Sequence, residues 1–237
     1  MKPIWKSFGI FLRQIREDAM LFAVLIAPVL AGCAFRFGVP ALENLLCGEL
    51  GVQTVLKEYY LLFDLFLAVL TPYMFCFASS MVMLTERDES ISAYFAVTPI
   101  GRRGYVLSRL VLPALVSAVA TVVVLLLFSL TRWNGLNLVL VSLFGGMLCV
   151  PATLLIVAFA NNRVEGMALA KTAGLILLGL PVPFFLKNAA QYLFSPLPSF
   201  WIAKLFLESN YWFCLPAAAS SLVWIWALYR KFANKIA

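Results

Sequence analysis

Apolar residues in this chain gather into six long runs, and the polar residues fall almost entirely in the gaps between them. A bilayer crossing needs about 20 predominantly apolar residues in a helix. On that criterion the crossings are 19–36, 59–84, 105–130, 136–159, 167–186 and 211–228. The first is the shortest, contains Pro28, and ends at Arg36, whose long stem lets its charge snorkel to the interface. Phe37 to Glu58 carries Pro40, Glu43, Gly48, Glu49 and Gly51, too polar to span, and is expected to be an external loop. The second and third crossings hold Pro72 and Pro113 and are long enough to tilt. Gly145 and Gly146 in the fourth permit close helix approach. The pattern predicts an all-α polytopic membrane protein with 1–237 as a single transmembrane domain.

The remaining stretches are short. In 1–18, Ile4, Phe8, Phe11, Leu12 and Ile15 recur at helical spacing while Lys6, Arg13, Arg16 and Glu17 fall mostly elsewhere, which predicts an amphipathic helix lying on the membrane surface. A frayed, charged tail with Trp5 at the interface is the alternative. Leu30 to Cys33 resembles a lipoprotein cleavage site, but the preceding basic region is too long and places Glu17 and Asp18 against the apolar run, so no signal peptide is assigned. After the second crossing, Thr85 as cap with Asp88 three residues later, and a stop at Pro99 and Gly101, describe one short helix over 86–98. Ile91, Tyr94 and Phe95 share a face of it. Residues 187–210, broken at Pro196 and Pro198, do not make one straight helix.

Composition narrows the chemistry. With 63% hydrophobic and 12% charged residues, a soluble globular fold is ruled out. There is no histidine, which removes zinc-protease motifs, Ser-His-Asp triads and histidine proton relays. The five cysteines are widely spaced, mostly within apolar runs, and read as packing residues, with neither a metal pair nor a disulfide framework. No GxxxxGK[ST] phosphate loop occurs, so the chain itself is not expected to bind ATP. The charge balance of 18 basic to 11 acidic residues is read as topology and points to no nucleic-acid partner. Six crossings put thirteen Lys and Arg on the side of the termini and five on the other, which predicts both termini in the cytoplasm. Asp64, inside the second crossing, is a candidate for the substrate path, binding a cationic cargo or pairing with Lys187 or Lys57. Arg109 is expected to face headgroups and Lys171 to meet Glu165, both tuning the cytoplasmic surface.

The stretch Glu86, Arg87, Asp88, Ser90, Val97, Thr98, Pro99, with Arg109 in the next crossing, resembles the permease subunits of type 2 ATP-binding-cassette (ABC) transporters. Asn161 to Met167 with Lys171 downstream, and Ser195, Pro196, Leu197, Pro198 and Trp201 before the last crossing, agree with that family in order. The chain departs from it at Ser90, where Gly is more common, and at Arg109, where Lys is common. The resemblance covers essentially the whole chain. It implies that 86–98 is a coupling helix seated in a groove of a separate ATPase subunit, with Glu86, Arg87, Asp88, Glu89, Ile91, Tyr94, Phe95, Thr98 and Pro99 at the contact. It implies a second cytoplasmic loop carrying Arg163, Glu165 and Lys171, and short re-entrant helices over 187–210 hinged at Pro196 and Pro198. The implied partners are two ATPase subunits and a second copy of the permease or a relative. ATP and Mg would sit on the ATPase, and this chain would be a non-catalytic subunit in the bacterial cytoplasmic membrane. The implied cargo is a drug, peptide, lipid or lipid-linked molecule moved outward. An ion-gradient-driven transporter predicts inverted repeats and midplane acids. A membrane anchor using the same docking helix, and a polytopic enzyme with clustered nucleophile and base, are the other readings.

Overall fold

A computed structural model describes residues 2–89, 91 and 101–236, and these are helical nearly throughout. Helix α1 (Lys2–Glu17) stops because Asp18 is extended and its carboxylate accepts the N–H groups of Met20 at 3.0 Å and Leu21 at 3.2 Å, capping α2 (Ala19–Cys33). The result is an elbow. The apolar stripe of α1, Phe8, Phe11 and Ile15, is turned against the bundle, while Trp5, Leu12 and Ile10 remain exposed. The periodicity thus marks a packing face, and the basic residues with Trp5 make the outer one.

Helix α2 does not end near Arg36. A π-helical turn at Ala34–Gly38 leads straight into α3 (Val39–Leu50), giving a 32-residue apolar helix that closes on Gly51 at φ +63°. Pro40 directly follows the π-helical turn, where the regular α ladder is already broken, so its missing N–H interrupts less than it would in an unbroken α-helix. Glu43 is tolerated because its carboxylate accepts the backbone N–H of Val55, at 2.9 Å, and of Leu56, so the loop after the helix folds back over it. The segment expected to be a loop is therefore mostly helix, and its polar residues serve its own ends. Arg36, expected to snorkel, donates to the Ser129 carbonyl at 2.6 Å.

The second span is α4 (Tyr60–Asp88). The third combines α5 (Gly101–Val106), a π-helical turn at Leu107–Val111, and α6 (Leu112–Phe128). The fourth is α7 (Gly135–Phe159). The fifth runs through α8 (Arg163–Ala173), a 3-10 stretch at Gly174–Gly179 and α9 (Val182–Phe185), and the sixth is α11 (Cys214–Ile236) after a 3-10 turn at Tyr211–Phe213. Between the last two lies α10 (Pro198–Leu207), opened by Pro198 in its first turn. The molecule is an all-α polytopic membrane protein with six spans.

The middle of the bundle is α4 and α7. Their most apolar windows are 56% and 67% buried, against 17% for the first and last spans. Adjacent glycines make this possible. A Cβ on Gly145 would come within 3.2 Å of the Ala68 carbonyl and Pro72 in α4, and one on Gly146 within 3.2 Å of the Ala114 carbonyl in α6. One glycine thus serves each neighbour, and in lipid such close backbone packing is a main source of helix association. One core gathers Phe11, Tyr73, Met81, Leu84 and Ile156, near the end bearing α1; another gathers Leu65, Leu125, Phe144, Leu180 and Phe206 towards the opposite end.

Candidate functional site

Successive residues on a helix point about 100° apart, and the last turn of α4 uses that spacing to reach three different helices. Glu86 points inward and is 0% exposed. It meets Arg109, also 0% exposed, with Nη2 at 2.6 Å from Oε1 and Nε at 3.2 and 3.1 Å from the two carboxylate oxygens. The same guanidinium donates through Nη1 to the Ser7 carbonyl at 2.9 Å and the Ser7 hydroxyl at 3.3 Å. It also lies 5.3 Å from the Phe11 ring and 5.9 Å from the Tyr105 ring. Arg109 therefore faces protein, where headgroups were expected.

Arg87 turns towards α7 and donates to its terminal carbonyls, Val157 at 3.3 Å and Ala160 at 3.0 Å, a favourable place for a cation. Asp88 turns towards α8 and accepts the N–H of Arg163, the first residue of that helix, at 3.2 Å. Asn162 caps α8 by accepting from the Glu165 N–H at 2.8 Å, and Glu165 returns by accepting from the Asn161 N–H at 2.7 Å. Arg163 pairs with Asp18, so the α1–α2 elbow is tied to the α7–α8 link. Burial pushes the Asp18 carboxyl up, but the Arg163 guanidinium and the N–H groups of Leu21 and Met20 hold it below the ordinary carboxylate range. Lys171 is exposed, and Glu165 is engaged with its own cap instead of Lys171.

These contacts place Glu86, Arg87, Asp88, Arg163 and Glu165 together at one end of the bundle. Glu89 ends α4 there, exposed, with its N–H on the Thr85 carbonyl at 3.0 Å. Ile91 is helical and half-buried. Ser90, Tyr94, Phe95, Thr98 and Pro99 lie outside the described residues. Beside Glu89 a cavity of about 430 Å³ opens between the elbow and α4, lined in part by Gln14, Glu17, Asp18, Thr85 and Arg163.

Asp64 stands apart from all of this, near the opposite end. It is 1% exposed and accepts from the N–H of Leu130 and of Thr131, both at 2.8 Å, from the Thr131 hydroxyl, and from Trp133 Nε1 at 3.1 Å. Its oxygens hold the link between α6 and α7, so the expected partners Lys57 and Lys187 are replaced by loop donors. The concavity beside that link, of about 510 Å³, is walled in part by Arg36, Ser129, Thr131 and Trp133, and a separate apolar cleft of about 330 Å³ lies between the first, second and fifth spans, walled by Phe35, Leu62, Phe63, Phe66, Leu177, Leu178 and Pro181. Pro196 accepts from Trp224 Nε1 at 2.8 Å, fixing the chain before α10 to the last span. Lys204 in α10, 3% exposed, donates to the Tyr192 hydroxyl at 2.6 Å and sits 4.2 Å from that ring, 5.2 Å from Phe213 and 3.5 Å from Glu208. Among the described residues, no group of three or more His, Cys, Asp or Glu side chains is placed to hold a metal ion.

Charge pattern alone did not find the Arg109 site. The available signal was a basic residue inside an apolar run, next to Ser108, whose acidic partner at the end of the preceding span only the packing reveals.

Six apolar spans, a helix folded along the bundle at the amino end, and a short buried helix before the last span fit an ABC-type membrane permease. The chain belongs to the family described as fluoroquinolones export permease protein Rv2686c-like, whose model matches residues 11–229. It is similar to the fluoroquinolones export permease protein Rv2686c of Mycobacterium tuberculosis strain H37Rv, at 27% identity over 234 residues covering 94% of this chain and 91% of the relative. The protein MT2760 of strain CDC 1551 / Oshkosh, of the same description, matches at the same 27%. No solved structure matches the chain significantly. The protein is a multi-pass membrane permease of an export family.

Proposed function

We propose that this chain is the membrane half of an ATP-driven exporter whose power comes from a separate ATPase subunit, bound with ATP and Mg at the end where α4 terminates. Both termini are cytoplasmic in this reading, and two permease chains enclose the transport path. The observation that carries it is the convergence at that end of Glu86, Arg87 and Asp88 on α1, α7 and α8, which braces the start of the 89–101 connection against the rest of the bundle. A docked motor needs a connection whose anchor does not yield. The thirteen-to-five basic asymmetry supports the orientation.

The cargo in this reading is an aromatic amphiphile of the fluoroquinolone kind, taken into the apolar cleft beside Phe63 and Phe66. That cleft offers apolar contact on every side, as most small-molecule sites do. Against an ion-gradient mechanism stand the acids within the spans, since Asp64 is committed to the α6–α7 link and Glu43 to the backbone N–H groups of Val55 and Leu56.

The test is uptake of a fluoroquinolone into inverted vesicles from cells producing this chain with its ATPase. The expected result is uptake that requires hydrolysable ATP and survives collapse of the proton gradient. Uptake that stops with the gradient while ATP is present would overturn the proposal.

A further inference from the structure

The ion pair between Glu86 and Arg109 is poorly explained as a source of stability. Taking two charges out of water costs several kcal/mol per ion, so that a well-packed apolar pair often does as well. Its location gives it another use. Glu86 is in the last turn of α4, and Arg109 is in the π-helical turn at the base of α6, so the pair joins the two strands of helix that bracket the 89–101 connection. The π-helical form itself is uncommon and often marks functional positions. The turn is held from a second direction, because the Ser79 hydroxyl donates to the Arg109 carbonyl.

The third arm is α1. Arg109 Nη1 reaches both the carbonyl and the hydroxyl of Ser7, and the Ser7 and Ser108 hydroxyls lie 3.3 Å apart. The planar fork fixes these contacts in one geometry: one edge of the guanidinium holds the carboxylate while Nη1 turns to Ser7. A lysine here keeps the charge and loses the bridge.

We propose that Arg109 is the positioning residue of the coupling apparatus: it joins α1, α4 and the base of α6 into one rigid unit, so that displacement of the 89–101 connection moves α1 together with the bundle. The inference rests on the ATP-driven reading above. It assigns the amino-terminal helix a mechanical task, passing motion from the connection along the membrane surface, with Arg109 as the pin.

The test uses the full chain with its ATPase subunit in liposomes. Hydrogen exchange is followed in α1 and in residues 104–111, with and without ATP, alongside melting temperature, ATP turnover and export. In the wild type the two segments are expected to respond to ATP together. In Arg109→Lys, and in the neutral pair Glu86→Gln with Arg109→Gln, residues 104–111 should still respond and ATP should still be consumed. The response of α1 should disappear, and export per ATP should fall about tenfold, within the usual range of coupling energies. A merely structural role would lower the melting temperature without separating the two segments. Arg109→Lys keeps the question answerable should the neutral pair fail to fold. Variants in which α1 responds as in the wild type, with undiminished export per ATP, would overturn the role of Arg109 alone. A wild type that exports with ATP while neither segment responds removes this inference alone, and one without ATP-dependent export removes the ATP-driven reading and this inference with it.

Discussion

At the scale of single residues, the polar groups of this protein are spent on backbone ends and on one another. Asp64 is the clearest case, since its carboxylate serves backbone, hydroxyl and indole donors of the α6–α7 link. Asp64→Ala strands those donors at a cost of about 1–3 kcal/mol, the usual penalty for a buried group left unpaired. The expected outcome is a lower melting temperature in detergent with an unchanged order of preference among exported drugs. A selective loss of cationic cargo without loss of stability would restore Asp64 to the substrate path. Removing Arg109 alone, as Arg109→Met, leaves the Glu86 charge buried without its guanidinium and should cost about 3–5 kcal/mol. The double change with Glu86→Gln should be milder than that single one, which a thermal-melt double-mutant cycle reads directly. Asp18 supplies the pH dependence. Its carboxyl is held below its ordinary range by Arg163 and the α2 cap, so it stabilises the elbow above that range. That contribution is lost as pH falls through the lowered value, and Asp18→Asn should flatten the acid limb of the melting profile.

At the scale of elements, glycines decide where helices touch. A Cβ at Gly179, in the 3-10 part of the fifth span, would lie 2.6 Å from the Phe200 backbone nitrogen, so Gly179→Ala must push α10 outward. A Cβ at Gly166 would come within 2.2 Å of Leu84 Cδ1 and 3.0 Å of Met81 Cε, both ends of flexible side chains and not backbone, with Ile156 Cγ2 at an ordinary 3.7 Å. Gly179→Ala should therefore reduce folded yield far more than Gly166→Ala, measured by fluorescence-detected size exclusion; equal effects would contradict the packing described. The runs of apolar residues were enough to read the six spans, and the Gly145–Gly146 pair announced the close packing of α4, α6 and α7. The continuation of the first span to Leu50 was not legible, because Pro40 and Glu43 look like loop residues until their places are known: one directly after a π-helical turn, the other folded against Val55 and Leu56. The Glu86–Arg109 pair was hidden for a related reason. Helical periodicity tells which face a residue occupies, but the partner on that face belongs to another helix, and nothing local specifies it.

At the scale of the whole molecule, the two ends of the bundle differ in character. One end is stitched by charges and caps that tie α1, α4, α7 and α8 together, and the other, where Asp64 holds the α6–α7 link, also carries the apolar cleft and the aromatic contacts around Lys204. This division fits a machine driven at one end and loaded from the lipid-facing side. Filling the cleft with Leu178→Trp should lower drug export while leaving ATPase binding intact, and an unaffected drug would place the path elsewhere. In the ATP-driven reading a motor grips the connection after Glu89. The most direct test of that grip is Glu89→Cys in a chain with the cysteines at 33, 47, 76, 149 and 214 replaced, in sealed vesicles of one orientation carrying the ATPase. A short thiol cross-linker should join position 89 to the ATPase, and an impermeant thiol reagent should reach it only from the face where ATP acts. Labelling from the opposite face, or ATP-driven export by a complex in which position 89 never cross-links, would contradict it.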